Sequence, residues 1–218
     1  MSTQIGITHR GEGAAVREIE GGSTTEALGG AAAIVLAILG LVGILPNVLG
    51  SIAIIAVGAA LMIAGGAIAA SFNRVVEANA APGVTRHAVV RGMGGEAMAG
   101  VAGIVLGILA LIGVATPVLM PISAIVLGAG LLMASGAMAR LESVMRTENT
   151  TGGGVVHDTV YAATGTEVLV GVGAIVLGIL GLAHHDPTTL SLIAMLAIGA
   201  TVLLSGSSLA ARFFGLFH

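Results

Sequence analysis

The chain has 218 residues, of which 56% are hydrophobic and only 9% charged, and its formal net charge is −3. An ordinary soluble domain carries about 25% charged residues; with a mean hydropathy of +1.07 this chain cannot cover its apolar surface with polar side chains, which excludes a water-soluble globule and makes lipid its main solvent. The eight basic residues are all arginine and form no run that could neutralise successive phosphates, which argues against nucleic acid as a partner, and the absence of cysteine excludes disulfides and thiolate chemistry.

In chain order, residues 1–25 read as a cytoplasmic N-terminal arm with Arg10 and Arg17 and no apolar core of a cleavable signal. Residues 26–70 form a first helical hairpin, with spans near 27–45 and 48–70 and a reversal at Pro46-Asn47. A cytoplasmic linker over 71–95 leads to a second hairpin at 96–140, with spans near 97–115 and 119–139 and a break at Thr116-Pro117 and Pro121. A second linker, 141–166, precedes a third hairpin at 167–211, with spans near 168–183 and 188–210 and a turn at His184-His185-Asp186-Pro187, and 212–218 form a C-terminal tail. Each apolar run is about as long as a helix needs to cross roughly 30 Å of hydrocarbon.

The three hairpins are copies of one unit. Ile34–Leu41, Ile104–Leu111 and Ile175–Leu182 are near-identical strings spaced 70 and 71 residues apart; Glu26, Glu96 and Glu167 precede them by eight residues, and Gly58, Gly128 and Gly199 recur in the second run of each unit. The fold class expected is therefore all-α and membrane-embedded: six transmembrane helices as three tandem hairpins with a pseudo-threefold repeat. All eight arginines lie in the arm, the linkers or the tail, so the positive-inside rule puts both termini and the linkers in the cytoplasm. Ala14–Glu20, Val84–Arg91 and Val155–Tyr161 mix β-branched with polar residues between glycines and could add three short cytoplasmic strands, flexible linkers being the alternative.

Helices gain little hydrophobic energy by meeting in lipid, so their association needs small side chains that let backbones approach. The first helix of each unit offers such a face: Gly30, Ala33, Ala37 and Gly40; Gly100, Gly103, Gly107 and Ala110; Gly171, Ala174, Gly178 and Gly181. The second helices carry a sparser one, Gly58 with Gly65, Gly128 with Ser135 and Gly199 with Gly206. This pattern suggests that the three first helices meet around the axis, with their partners outside.

The unit, a Gly-x-x-Ile-Val-Leu-Gly-Ile-Leu string, a short turn with proline and an apolar run with glycine, is clearest over Gly100–Leu141 and resembles the repeat of the HdeD-type acid-resistance membrane proteins. The resemblance implies a bacterial inner-membrane protein of three helical hairpins with a role in acid tolerance.

Among candidate sites, Glu26, Glu96 and Glu167 admit two readings. They are helix N-terminal carboxylates that satisfy free amides, as Thr25-Glu26 and Thr166-Glu167 suggest, or they form an acidic ring at the mouth of a pore. No ionisable residue falls in the middle of any span, against the needs of an ion-coupled pump. His184-His185-Asp186 reads as a polar turn; His9, His87 and His157 are too scattered for a metal site; and Gly171-Val172-Gly173 and Gly152-Gly153-Gly154 lack the partners of nucleotide-binding motifs. Ser205, Ser207 and Ser208 can bond preceding helical carbonyls. The expectation is a non-enzymatic structural or accessory membrane component without cofactor, partnered by lipid and by its own copies or other membrane proteins. A small pore or facilitator with its path between the repeats is the alternative.

Overall fold

A computed structural model of the chain describes residues 24–79, 84–148, 154–183 and 186–214, and their side chains over 24–66, 94–136, 165–183 and 186–207. These residues are helical throughout apart from the connections. In order they form α1 (Thr24–Leu41), α2 (Pro46–Asn79), α3 (Val84–Leu111), α4 (Thr116–Glu148), α5 (Gly154–Ala183) and α6 (Pro187–Phe214). Each contains a span long and apolar enough to cross a membrane, so the protein is a multi-pass, all-helical membrane protein. Large apolar side chains remain on the outside, among them Leu28, Met98 and Leu169, each more than 70% exposed, as a surface solvated by acyl chains permits.

Helices α2 to α6 run past those spans. The 34 residues of α2 reach about 51 Å, against roughly 30 Å of hydrocarbon, and the excess lies at the end that carries the arginines. Val84–Arg91 belongs to α3 and Val155–Tyr161 to α5, so these two segments are helix and not the short strands their composition suggested; Ala14–Glu20 lies outside the described residues. The physical reason is cooperativity: once an apolar helix is nucleated, each further residue adds a hydrogen bond for little entropy, whereas a strand needs a distant partner. Pro121 likewise lies inside α4 instead of in the turn. Five residues after the helix start, its missing N–H removes one bond of the ladder.

The first two hairpin turns share one construction. Gly43 (φ +95°) and Gly113 (φ +87°) adopt the left-handed conformation that ends a helix. The N–H groups of Ile44 and Gly43 donate to the carbonyls of Leu39 and Gly40, and those of Val114 and Gly113 to Leu109 and Ala110; each turn is a Schellman cap. The next helix starts two residues later from Leu45 (φ 41°) and Ala115 (φ 42°), whose carbonyls accept its first bonds. Both are left-handed residues that carry a Cβ, at a cost of about 1 kcal/mol each. Ala115→Gly is therefore expected to raise the stability in detergent by up to about 1 kcal/mol, and Gly113→Ala to lower it by about the same amount; reversible denaturant titration followed by circular dichroism measures both.

Burial identifies the inner helices. Of the span residues, 56, 50 and 50% are buried in α2, α4 and α6, against 28, 39 and 22% in α1, α3 and α5. The three second helices pack on one another, while α3 and α5 make no contact among the described residues. The arrangement around the axis is thus the reverse of the one expected: second helices form the centre and first helices sit outside. Small residues explain it, because they do not mark the axis but the grooves where an outer helix settles between two inner ones. Buried side chains at repeat-equivalent positions of the second helices belong to one core cluster: Ile54, Ala124 and Met195; Val57, Leu127 and Ile198; Leu61, Leu131 and Val202. The large residues needed to fill that triangle are supplied by the second helices.

Neighbouring units meet at glycine pairs. A Cβ on Gly100 would lie 2.5 Å from the Gly58 carbonyl oxygen, and one on Gly58 would lie 2.7 Å from that of Gly100. Gly128 and Gly171 stand in the same relation, at 2.7 and 2.8 Å, as do Gly199 and Gly30, at 3.0 and 2.6 Å. In each case the second helix of one unit meets the first helix of the next, and the third unit returns to the first. The chain closes on itself as a ring. At the opposite end Thr188 donates a hydrogen bond from its hydroxyl to Asn47 Oδ1 at 3.1 Å, joining the third hairpin tip to the first.

Candidate functional site

The twelve small residues of the outer helices, Gly30, Ala33, Ala37, Gly40, Gly100, Gly103, Gly107, Ala110, Gly171, Ala174, Gly178 and Gly181, are all buried. They let α1, α3 and α5 sink into the grooves of the inner triangle. Extending that stripe by one turn toward the arginine-bearing end gives Glu26, Glu96 and Glu167, each four residues before Gly30, Gly100 or Gly171. On a helix this spacing puts the acid and the glycine on the same face.

The carboxylates therefore point inward. Glu26 and Glu96 are 7 and 8% exposed and Glu167 is half-buried. The three lie within electrostatic reach of one another. The hydroxyl of Ser205 on α6 is hydrogen-bonded with both Glu26 and Glu167. The repeat-equivalent positions on α2 and α4 are Ala64 and Ala134, so the serine breaks the symmetry of the cluster. Three residues earlier on the second helices, at the repeat-equivalent positions Leu61, Leu131 and Val202, the side chains are buried and apolar.

This geometry corrects the helix-capping reading for two of the three acids. α3 begins at Val84 and α5 at Gly154, so Glu96 and Glu167 lie more than three turns inside continuous helices whose amides are already bonded. No free N-terminus exists there for a carboxylate to satisfy. At these positions the three acids stand within electrostatic reach of one another at one end of the bundle. Ser205 appeared in the sequence only as a residue able to bond its own helix; its service to two carboxylates depends on the closing of α6 against α1 and could not be read from local spacing.

The remaining candidates are placed as follows. Asp186 is exposed and its Oδ1 accepts a hydrogen bond from the Thr189 N–H at 3.3 Å, capping α6 ahead of Pro187. His184 and His185 lie outside the described residues, as do His9, Gly152 and Gly153; His87 and His157 fall on α3 and α5. Among the described residues no three histidine or acidic side chains are arranged to hold a metal ion. Gly171 and Gly173 are helical residues of α5, and Ser207 donates its hydroxyl to the Leu204 carbonyl at 3.1 Å. Inside the bundle the hydroxyls of Ser51, Ser123 and Ser191 donate to the carbonyls four residues earlier at 2.7–2.8 Å, and no fully buried polar side-chain atom of the described residues is left without a hydrogen bond.

No family model, no curated protein and no solved structure matches the chain.

Proposed function

We propose that the protein is a non-enzymatic, structural or accessory component of a bacterial inner membrane, with both termini in the cytoplasm, that works as part of its own oligomer or of a larger membrane assembly. The observation that supports this most directly is the packed core: buried apolar side chains of α2, α4 and α6 form one cluster with small residues of the outer helices, which suits a rigid framework. The helices that continue beyond the membrane-spanning windows at the arginine-bearing end would offer such an assembly a cytoplasmic attachment. The link to acid stress rests on the resemblance of the repeated strings to the HdeD type. Purification in mild detergent followed by native mass measurement tests the proposal. A defined oligomer or a partner in fixed stoichiometry is the expected result, and a clean monomer counts against it.

A second reading, a small pore or facilitator for protons or a small solute, is favoured by the convergence of Glu26, Glu96 and Glu167 at one end of the ring. It requires the apolar core to part. Flux in proteoliposomes that falls when all three acids become glutamine would support it; no flux from folded protein would remove it.

A further inference from the structure

In the first two hairpins the paired helices face one another near the arginine-bearing end through one glycine and one alanine. A Cβ on Gly29 would lie 2.7 Å from Ala60 Cβ, and one on Gly130 would lie 2.5 Å from Ala99 Cβ, so the gap has room for a single methyl group. The repeat-equivalent positions of the third hairpin are Val170 and Thr201. Both are β-branched; Thr201 is buried and Val170 packs against the core. At this level α5 and α6 therefore cannot approach as closely as their counterparts do.

The surroundings agree. α5 is the least buried of the six spans and touches α6 less than α3 touches α4. Ile63, Met133 and Leu204 occupy one repeat position on the second helices, and their exposure climbs from 38 to 49 to 62%. Glu26 and Glu96 are buried where Glu167 is half-buried. The glycines of α5 hold it to α4 instead: a Cβ on Gly171 would lie 2.8 Å from the Gly128 carbonyl oxygen, and one on Gly178 would lie 2.7 Å from that of Pro121. On its other side α6 is held by Gly199 against Gly30.

From this asymmetry we infer that the third hairpin is the lateral opening of the bundle, where α5 tilts away from α6 at the arginine-bearing end while staying seated on α4. At the opposite end the chain joins Ala183 to Pro187 within a few residues, so that end is the hinge. Apolar side chains that part in a bilayer meet acyl chains, and only packing is lost; packing is already loosest at this pair. The hydrogen bond between Ser205 and Glu167 crosses the gap and breaks on opening. Parting the helices at any of the three glycine pairs would instead give up a close backbone contact. Such an opening is independent of what the protein assembles with.

The test exploits a chain without cysteine. Cysteines carrying nitroxide labels replace exposed residues at matching repeat positions, Leu28 with Ile63, Met98 with Met133 and Leu169 with Leu204, and pulsed electron double resonance reads the distances in lipid nanodiscs. One narrow distribution is expected for each of the first two pairs. The third pair should show a second population longer by about 4–5 Å, roughly half the distance between packed helix axes. Val170→Ala with Thr201→Gly, which copies the facing pair of the second hairpin, should remove that population, and thermal unfolding shows whether this variant is intact. If it does not fold, the comparison of the three wild-type hairpins decides alone. A single narrow distribution for the third pair, the same second population in all three, or a long population that persists in the folded variant would each overturn the opening.

Discussion

Gly100→Leu is expected to prevent the ring from closing, and even Gly100→Ala should destabilise the protein by about 3 kcal/mol, the upper part of the range for overpacking. The added Cβ would lie 2.5 Å from both the Gly58 carbonyl oxygen and the Met62 nitrogen. These are backbone atoms of a straight helix and cannot rotate away; α2 and α3 would have to separate along their length, and dispersion contacts fall off steeply with such a gap. The comparison that makes the result specific is Gly173→Ala. It lies on the same kind of helix, but a Cβ there meets nothing within 4 Å, so alanine should be neutral or slightly stabilising through its higher helix propensity. Unfolding by SDS titration, with the two variants side by side, reads the difference. Equal stability would mean that glycine pairs are not what brings neighbouring units together.

Leu127→Ala addresses the centre. Leu127 is fully buried, in one core cluster with Val57 and Ile198, and its truncation should cost about 2–3 kcal/mol. In a membrane that loss comes from the cavity and the missing packing, because a leucine moved from lipid to protein leaves one apolar medium for another. Leu204, 62% exposed on α6, should lose far less on the same change, since acyl chains fill the space. A coupling follows from the groove. A Cβ on Gly103 would lie 2.7 Å from Leu127 Cδ2, so Gly103→Ala should be harmful alone and should partly repair Leu127→Ala. A double-mutant cycle with independent, additive effects would show that the two sites are not in the contact described.

The two substitutions separate an outer groove from an inner core, a distinction that the apolar pattern cannot express. In soluble proteins the buried face of a helix is found by its hydrophobicity; here both faces are apolar, because one meets protein and the other lipid. Residue size is the only remaining signal, and it is ambiguous. The stripe from Gly30 to Gly40 correctly marks a buried face, but small residues serve equally for helices meeting at an axis and for a helix lying in a groove. The large residues Ile54, Leu61, Met195 and Ile198 settle which, and their role is visible only once the inner triangle exists.

Six apolar helices, their order and their turns were legible in the amino-acid sequence, because lipid forces the backbone of each span to satisfy its own hydrogen bonds and because proline and glycine mark where a helix must end. The ends of the helices away from the turns were not legible: β-branched and polar residues such as those of Val84–Arg91 carry a weak local preference, which an adjoining helix overrides. The acids show the same division. Their repeat spacing, and the four-residue step from Glu26 to Gly30, could be read directly, whereas the meeting of Glu26, Glu96 and Glu167 and the bridging by Ser205 required the third hairpin to close on the first. Tertiary structure decided this because it joins residues some 180 positions apart, a separation over which neither propensity nor periodicity carries information.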